Sequence, residues 1–150
     1  MAIRKVLVDI DVMAPLHPAL SQALDLARRA DADVVLVDVV ADVPARARTI
    51  VSADREQALI QERTRRLEGL AEKQRAKGAR ITTKVLRGAP TVALVREVIA
   101  GRHDILVRYH GRDLQAAKRF GVVDMQLLRK CPCPVWLVGV GERGRPRRIV

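Results

Sequence analysis

Two glycines, Gly111 and Gly121, lie between an apolar run, Ile105-Leu106-Val107, and a segment, Val122 to Lys130, with the composition of a short helix. Glycines at such spacing before a helix suit a phosphate-binding loop. Bare backbone N–H groups can approach the anion, and the helix N-terminus favours negative charge. The residues that would flank a phosphate are of other kinds: Arg108 brings a Cβ and a long cationic side chain, and Val122 brings no hydroxyl. Arg108 could instead pair with a phosphate through its guanidinium, helped by Arg112, Lys118 and Arg119.

Asp9 and Asp11 close the opening apolar run, two residues apart, so a strand would present both to one face. If both were desolvated, one would titrate high, as at a cation or catalytic site; the alternative is that Asp11 caps a loop. His17, His103 and His110 are scattered. His110, in the suspected ligand loop, either contacts an anion or is solvated, and His103, between a helix end and a strand, reads as a cap on carbonyls. Cys131 and Cys133 flank Pro132, which is neither the C-x-x-C of a redox helix nor half of a zinc site. Cys133 reads as packed and Cys131 as standing at a helix end, with a C-x-C redox pair as the alternative. No Ser-His-Asp order, metal-ligand spacing or P-loop is present, so no catalytic residue and no metal site are expected.

The elements that must position these residues follow from hydrophobic period. Ile3 to Ile10, Val34 to Val40, Ile105 to Val107 and Val135 to Val138 are short apolar runs of the kind buried on both faces of a parallel sheet. Arg80 to Leu86 alternates, with Ile81, Thr83 and Val85 on one side, as an edge strand would. Between these lie helices: His17 to Arg29, with Leu20, Ala23, Leu24 and Ala27 inward; Asp54, as N-cap, to about Lys77, with Ile60, Leu67, Leu70 and Ala71 inward; and a third with Val92, Val95 and Ile99 aligned, entered through Gly88-Ala89-Pro90 and ended by Gly101. The fourth helix is Val122 to Lys130. Alternating strands and helices predict a three-layer α/β sandwich on a parallel sheet, with ligands beyond the carboxyl ends of the strands. That crevice gathers Asp9, Asp11, Val39, Val40, Arg108, Gly111, Gly121, Val122 and Val123.

The chain has 150 residues, 49% hydrophobic and 30% charged, the balance of one globular domain. No apolar run reaches the ~20 residues of a membrane span and no signal peptide opens the chain, so a cytoplasmic, reducing location is expected. Net charge is +11, and residues 141–150 hold four arginines against one glutamate, leaving about +8 on the body. This favours anionic partners or reflects solvated arginines. Only Tyr109, Phe120 and Trp136 are aromatic, which argues against a base-stacking platform for single-stranded nucleic acid. Residues 1–140 read as the domain and 141–150 as a basic linker or tail, in which Pro146-Arg-Arg-Ile-Val150 echoes the opening Ile3-Arg-Lys-Val-Leu7, as the start of a second repeat would.

The order and spacing of several segments resemble the universal stress protein family: Val6-Leu-Val-Asp-Ile-Asp11, Ala19-Leu20, Val85-Leu-Arg-Gly88-Ala-Pro90, His103-Asp104-Ile-Leu-Val107 and Cys131-Pro-Cys-Pro-Val135. Through Arg96-Glu-Val-Ile99 and Leu127-Leu-Arg-Lys-Cys-Pro-Cys-Pro-Val-Trp136 the chain is most similar to the N-terminal domain of tandem E-type members. The resemblance implies a five-stranded parallel sheet of order 3-2-1-4-5. It also implies a homodimer or tandem pseudo-dimer paired along Val135, Trp136, Leu137 and Val138. ATP-binding members carry G-x-x-G-x9-G-[ST]. With Gly111 and Gly121 on the second and third glycines, Arg108 falls on the first and Val122 on the hydroxyl position, while Asp11 matches the aspartate that contacts adenosine. The expected function is a non-catalytic stress-response binding or regulatory module with a degenerate nucleotide site and no required cofactor. It would act on a protein partner or a small anionic ligand. The alternatives are an ATP-binding switch with slow hydrolysis, or a nucleic-acid-associated accessory protein using Arg46, Arg48 and the tail.

Overall fold

The computed structural model describes residues 2–42, 50–110, 121–139 and 147–149. Gly111, Arg112, Lys118, Arg119, Pro44, Arg46, Arg48 and the linker stretch 140–146 lie outside the described residues. The elements run β1 (Lys5–Asp9), α1 (Pro18–Ala30), β2 (Asp33–Val40), α2 (Ile50–Arg75), β3 (Ile81–Arg87), α3 (Pro90–Gly101), β4 (Ile105–Tyr109), α4 (Val122–Lys130), β5 (Val135–Val138) and β6 (Arg147–Ile149). The sheet order is β3-β2-β1-β4-β5-β6. The first five strands are parallel, in the expected order 3-2-1-4-5. β6 is an addition: it pairs antiparallel with β5, Val135 opposite Ile149 and Leu137 opposite Arg147.

The continuous apolar runs are buried because helices cover both faces. On one face Val6, Val8, Val34, Leu36 and Val107 meet Ala19, Leu20, Ala23 and Ala27 of α1 and Leu67 and Ala71 of α2. On the other, Leu7, Val35, Val37, Leu106 and Leu137 meet Leu94 and Val98 of α3 and Leu127 of α4. β5 and α4 have the bounds expected from sequence.

Three local expectations are corrected. Asp54 is not a cap: α2 begins at Ile50, so Asp54 is an exposed residue inside it. In α3 the aligned Val92 and Ile99 face outward, 48% and 63% exposed, while Ala93, Leu94 and Val98 are buried with Thr91 and Glu97. Both candidate stripes are apolar, and the one with polar members is buried because those members have partners: Thr91 Oγ1 donates to Gln126 Oε1 (2.6 Å) and Lys84 Nζ donates to Glu97 Oε1 (2.9 Å). Gly101 is the last residue of α3, as expected from the sequence, and the left-handed terminus follows it. Arg102 takes that conformation (φ 53°). A Cβ on Gly101 would lie 2.5 Å from His103 Nε2, which accounts for the glycine.

His103 is correspondingly not a carbonyl cap. Its side chain is buried with Nε2 3.3 Å from Glu97 Oε1. Burial is the largest influence on the imidazole and holds it below its ordinary value of 6.5, against the pull of Glu97. Burial pushes Glu97 up, but hydrogen bonds from Lys84 and His103 outweigh it and hold the carboxyl below 4.5. Each group's contribution is complete above its unfolded pKa and is lost as pH falls through the folded one. The melting temperature should therefore fall on acidification from pH 6.5, and again below pH 4.5. In calorimetric scans across this range, His103→Gln should flatten the first decline, while the second persists through Lys84.

Candidate functional site

The candidate site sits at the carboxyl ends of β1, β2 and β4. Asp9, the last residue of β1, stands opposite Arg108 of β4 in the sheet register, and both side chains point to the α3/α4 face. Arg108 Nη1 donates to Asp9 Oδ2 at 2.7 Å, and Arg108 Nε donates to Asp124 Oδ1, on the first turn of α4, at 2.8 Å. All three residues are buried, with Asp9 entirely so. His110 Nδ1 lies 3.5 Å from Asp124 Oδ2. With both carboxylates ionised the trio carries one net negative charge.

Chain direction explains the arrangement. Asp124 lies in the first turn of α4, where the partial positive charge of the helix dipole favours an anion. In a phosphate site that helix end faces the ligand; here a protein carboxylate stands there, paired with the guanidinium. Arg108 thus serves two internal carboxylates, in place of the phosphate that one of the two sequence readings paired with it. Gly121 caps α4 with φ −63°, and a Cβ there would lie 3.8 Å from Asp124 Oδ2, an ordinary contact. Among the described residues nothing requires glycine at this position. Val122 is 74% exposed and Val123 packs against the core.

Asp11 does not share Asp9's face. β1 ends at Asp9, and past it the two-residue period no longer applies. Asp11 Oδ1 accepts the Met13 N–H (2.9 Å) and lies 3.8 Å from Arg63 Nη1 of α2. The same Arg63 atom donates to Asp38 Oδ2 at 2.7 Å, and the Val12 N–H donates to that oxygen at 3.1 Å. Asp38 is 2% exposed. Asp9 and Asp11 therefore have separate guanidinium partners on opposite faces of the sheet, and of the two sequence readings the structure shows the loop-capping Asp11 rather than a carboxylate pair. Val39 packs on the α3/α4 face, and Val40 is buried and accepts the Gly88 N–H through its carbonyl.

The sequence reading lacked Asp38, Arg63 and the role of Asp124. Asp38 carried a signal, as a lone carboxylate inside an apolar strand must have a partner. Arg63 carried none, being one of many arginines on α2. Among the described residues no three His, Cys, Asp or Glu side chains gather as a metal site, and no helix is long and apolar enough to cross a membrane. The β5 edge, Val135 to Val138, is hydrogen-bonded to β6 of the same chain.

Comparison with known proteins adds a family. The family model of the universal stress proteins matches residues 2–139. Universal stress protein E of Photorhabdus laumondii is 32% identical over 141 residues, covering 90% of this chain and 45% of that protein. The chain therefore spans about half the length of the curated relatives it matches. Universal stress protein UspA from Lactobacillus plantarum has a TM-score of 0.71 at 18% identity, over 91% of this chain and 98% of its own. A universal stress protein solved in complex with cAMP has a TM-score of 0.62 at 22% identity, over 92% and 98%. At these identities the solved structures show the shared fold.

Replacing Arg108 by Met leaves two buried carboxylates without their cation and should lower stability by about 3–5 kcal/mol. Urea unfolding should show this as a lower midpoint at unchanged slope. The triple variant Arg108→Met, Asp9→Leu, Asp124→Leu should recover most of the loss.

Proposed function

The chain belongs to the universal stress protein family, and from that premise we propose that it is a non-catalytic binding or regulatory domain whose nucleotide crevice is occupied by its own ion pairs. The observation carrying this reading is the buried Asp9–Arg108–Asp124 cluster at the helix end where a phosphate would bind. A triphosphate does not fit these residues. Its charge would meet Asp9 and Asp124, the guanidinium is already held by both, and Val122 offers no hydroxyl donor. The domain acts in the cytoplasm through contact with a protein partner or through a ligand with little charge.

The solved relative in complex with cAMP supports a second, narrower reading. A cyclic monophosphate carries a single negative charge, and a cluster with one net negative charge opposes it far less than it opposes ATP.

Partner contact is assigned to the β5 edge. Val135, Trp136, Leu137 and Val138 would pair with a second copy or with the second half of a tandem protein. In this chain Arg147–Ile149 holds that edge, so a partner strand must displace or replace β6.

Thermal denaturation tests the nucleotide reading. A ligand at 100 times its Kd stabilises by about 2.7 kcal/mol. Magnesium-ATP at millimolar concentration should leave the melting temperature unchanged; a clear rise would support the ATP switch instead. A rise with cAMP alone would support the narrower reading. Sedimentation tests the edge: removing residues 141–150 should shift the chain from monomer toward dimer, and an unchanged monomer would set the edge assignment aside.

A further inference from the structure

Cys131 and Cys133 take no part in the crevice. Cys131 is the C-cap of α4 and Cys133 leads into β5, with Pro132 between them and Pro134 after. Their Sγ atoms are 3.6 Å apart, in contact through one thiol hydrogen bond, and both residues are partly exposed. The frame around them is fixed. The Cys131 N–H donates to the Leu127 carbonyl (2.9 Å), the Leu106 N–H donates to the Pro134 carbonyl (3.0 Å), and both cysteines pack against the core that holds Leu94, Leu127 and Leu137. From 3.6 Å the sulfurs need to approach by only about 1.5 Å to reach disulfide length.

We infer that Cys131 and Cys133 are a reversible dithiol–disulfide pair, oxidised by hydroperoxides, with Cys131 attacking and Cys133 resolving. The two thiols are unequal. The hydrogen bond from the Cys133 thiol, with its backbone amide adding, holds Cys131 down to about 7 against the effect of burial. The same contact, together with burial, pushes Cys133 up. Near neutral pH one thiolate therefore lies beside one thiol.

In the first step the Cys131 thiolate attacks a peroxide oxygen. The S–O bond forms, the O–O bond breaks, and the leaving hydroxide takes up the proton that the Cys131 thiol released to the buffer on ionising, giving water and Cys131 sulfenic acid. In the second step the Cys133 sulfur attacks Cys131 Sγ. The S–S bond forms, the S–O bond breaks, and the departing hydroxide leaves as water with the Cys133 proton. Two electrons pass from the pair to the peroxide, and a small dithiol returns them. So short a ring is strained, which makes the bond easy to reduce.

The test treats the full chain with one equivalent of hydrogen peroxide at pH 7, then alkylates it and measures intact mass. The proposal expects loss of two hydrogen atoms, no alkylation, the change confined to the peptide holding both cysteines, and reversal by dithiothreitol. Cys133→Ser should trap a sulfenic acid at Cys131 that a cyclic 1,3-dione captures. Cys131→Ser should consume peroxide at least about tenfold more slowly. The proposal is overturned if both thiols remain alkylatable under conditions that fully oxidise the pair in a short peptide of the same sequence. Sulfinic acid at Cys131, or disulfides only between chains, would also overturn it. If either variant fails to fold, the wild-type mass measurement decides alone.

Discussion

A guanidinium withdrawn from water costs several kcal/mol unless counter-charges meet it, and Arg108 is withdrawn where β1, β4 and α4 converge. Asp9 reaches it across the β1–β4 pairing, and Asp124 reaches it from the first turn of α4. The pairs fix the carboxyl ends of two central strands and the angle at which α4 leaves the sheet. Arg63 does the corresponding work on the opposite face, joining α2 to Asp38 and to the turn after β1. With both faces locked by internal ion pairs, an incoming anion has to compete with carboxylates of the protein itself.

How much of this was legible in the sequence depends on the range of the interaction concerned. Val6-Leu7-Val8 and Val34 to Val37 declared buried strands because uninterrupted β-branched and leucine residues have few other uses in a chain this charged. The bounds of α4 and β5 were readable because Gly121 and the prolines after Lys130 punctuate them. The start of α2 was not, since Thr49, Ser52 and Asp54 are all cap-forming residue types and no stripe chooses among them, and the α3 stripe was misread because two apolar faces compete there. Period alone cannot choose between them; the partners of Glu97 and Thr91, on β3 and α4, do.

The site divides along the same line. Residue types at Arg108 and Val122 read as a degenerate phosphate loop, which is local information. That Arg108 would pair with Asp9, 99 residues earlier, is a property of strand order, and the sequence reading placed both in one crevice without joining them. Arg63 shows the limit: in a chain with 28 lysines and arginines, one more arginine on an amphipathic helix says nothing about which carboxylate it meets.

β6 reverses direction. Five strands carry the chain toward the crevice, and this one carries it away, so that Ile149 stands beside Val135, two residues past Cys133. The molecule is therefore bipolar. The Asp9–Arg108–Asp124 cluster lies at one end of the strands, while the thiols and the outgoing backbone meet at the other. A segment continuing from β6 would be led off at the sulfur pole, and strain in the Cys131–Cys133 turn would bear on the strand that holds it before it reached the ion pairs across the sheet.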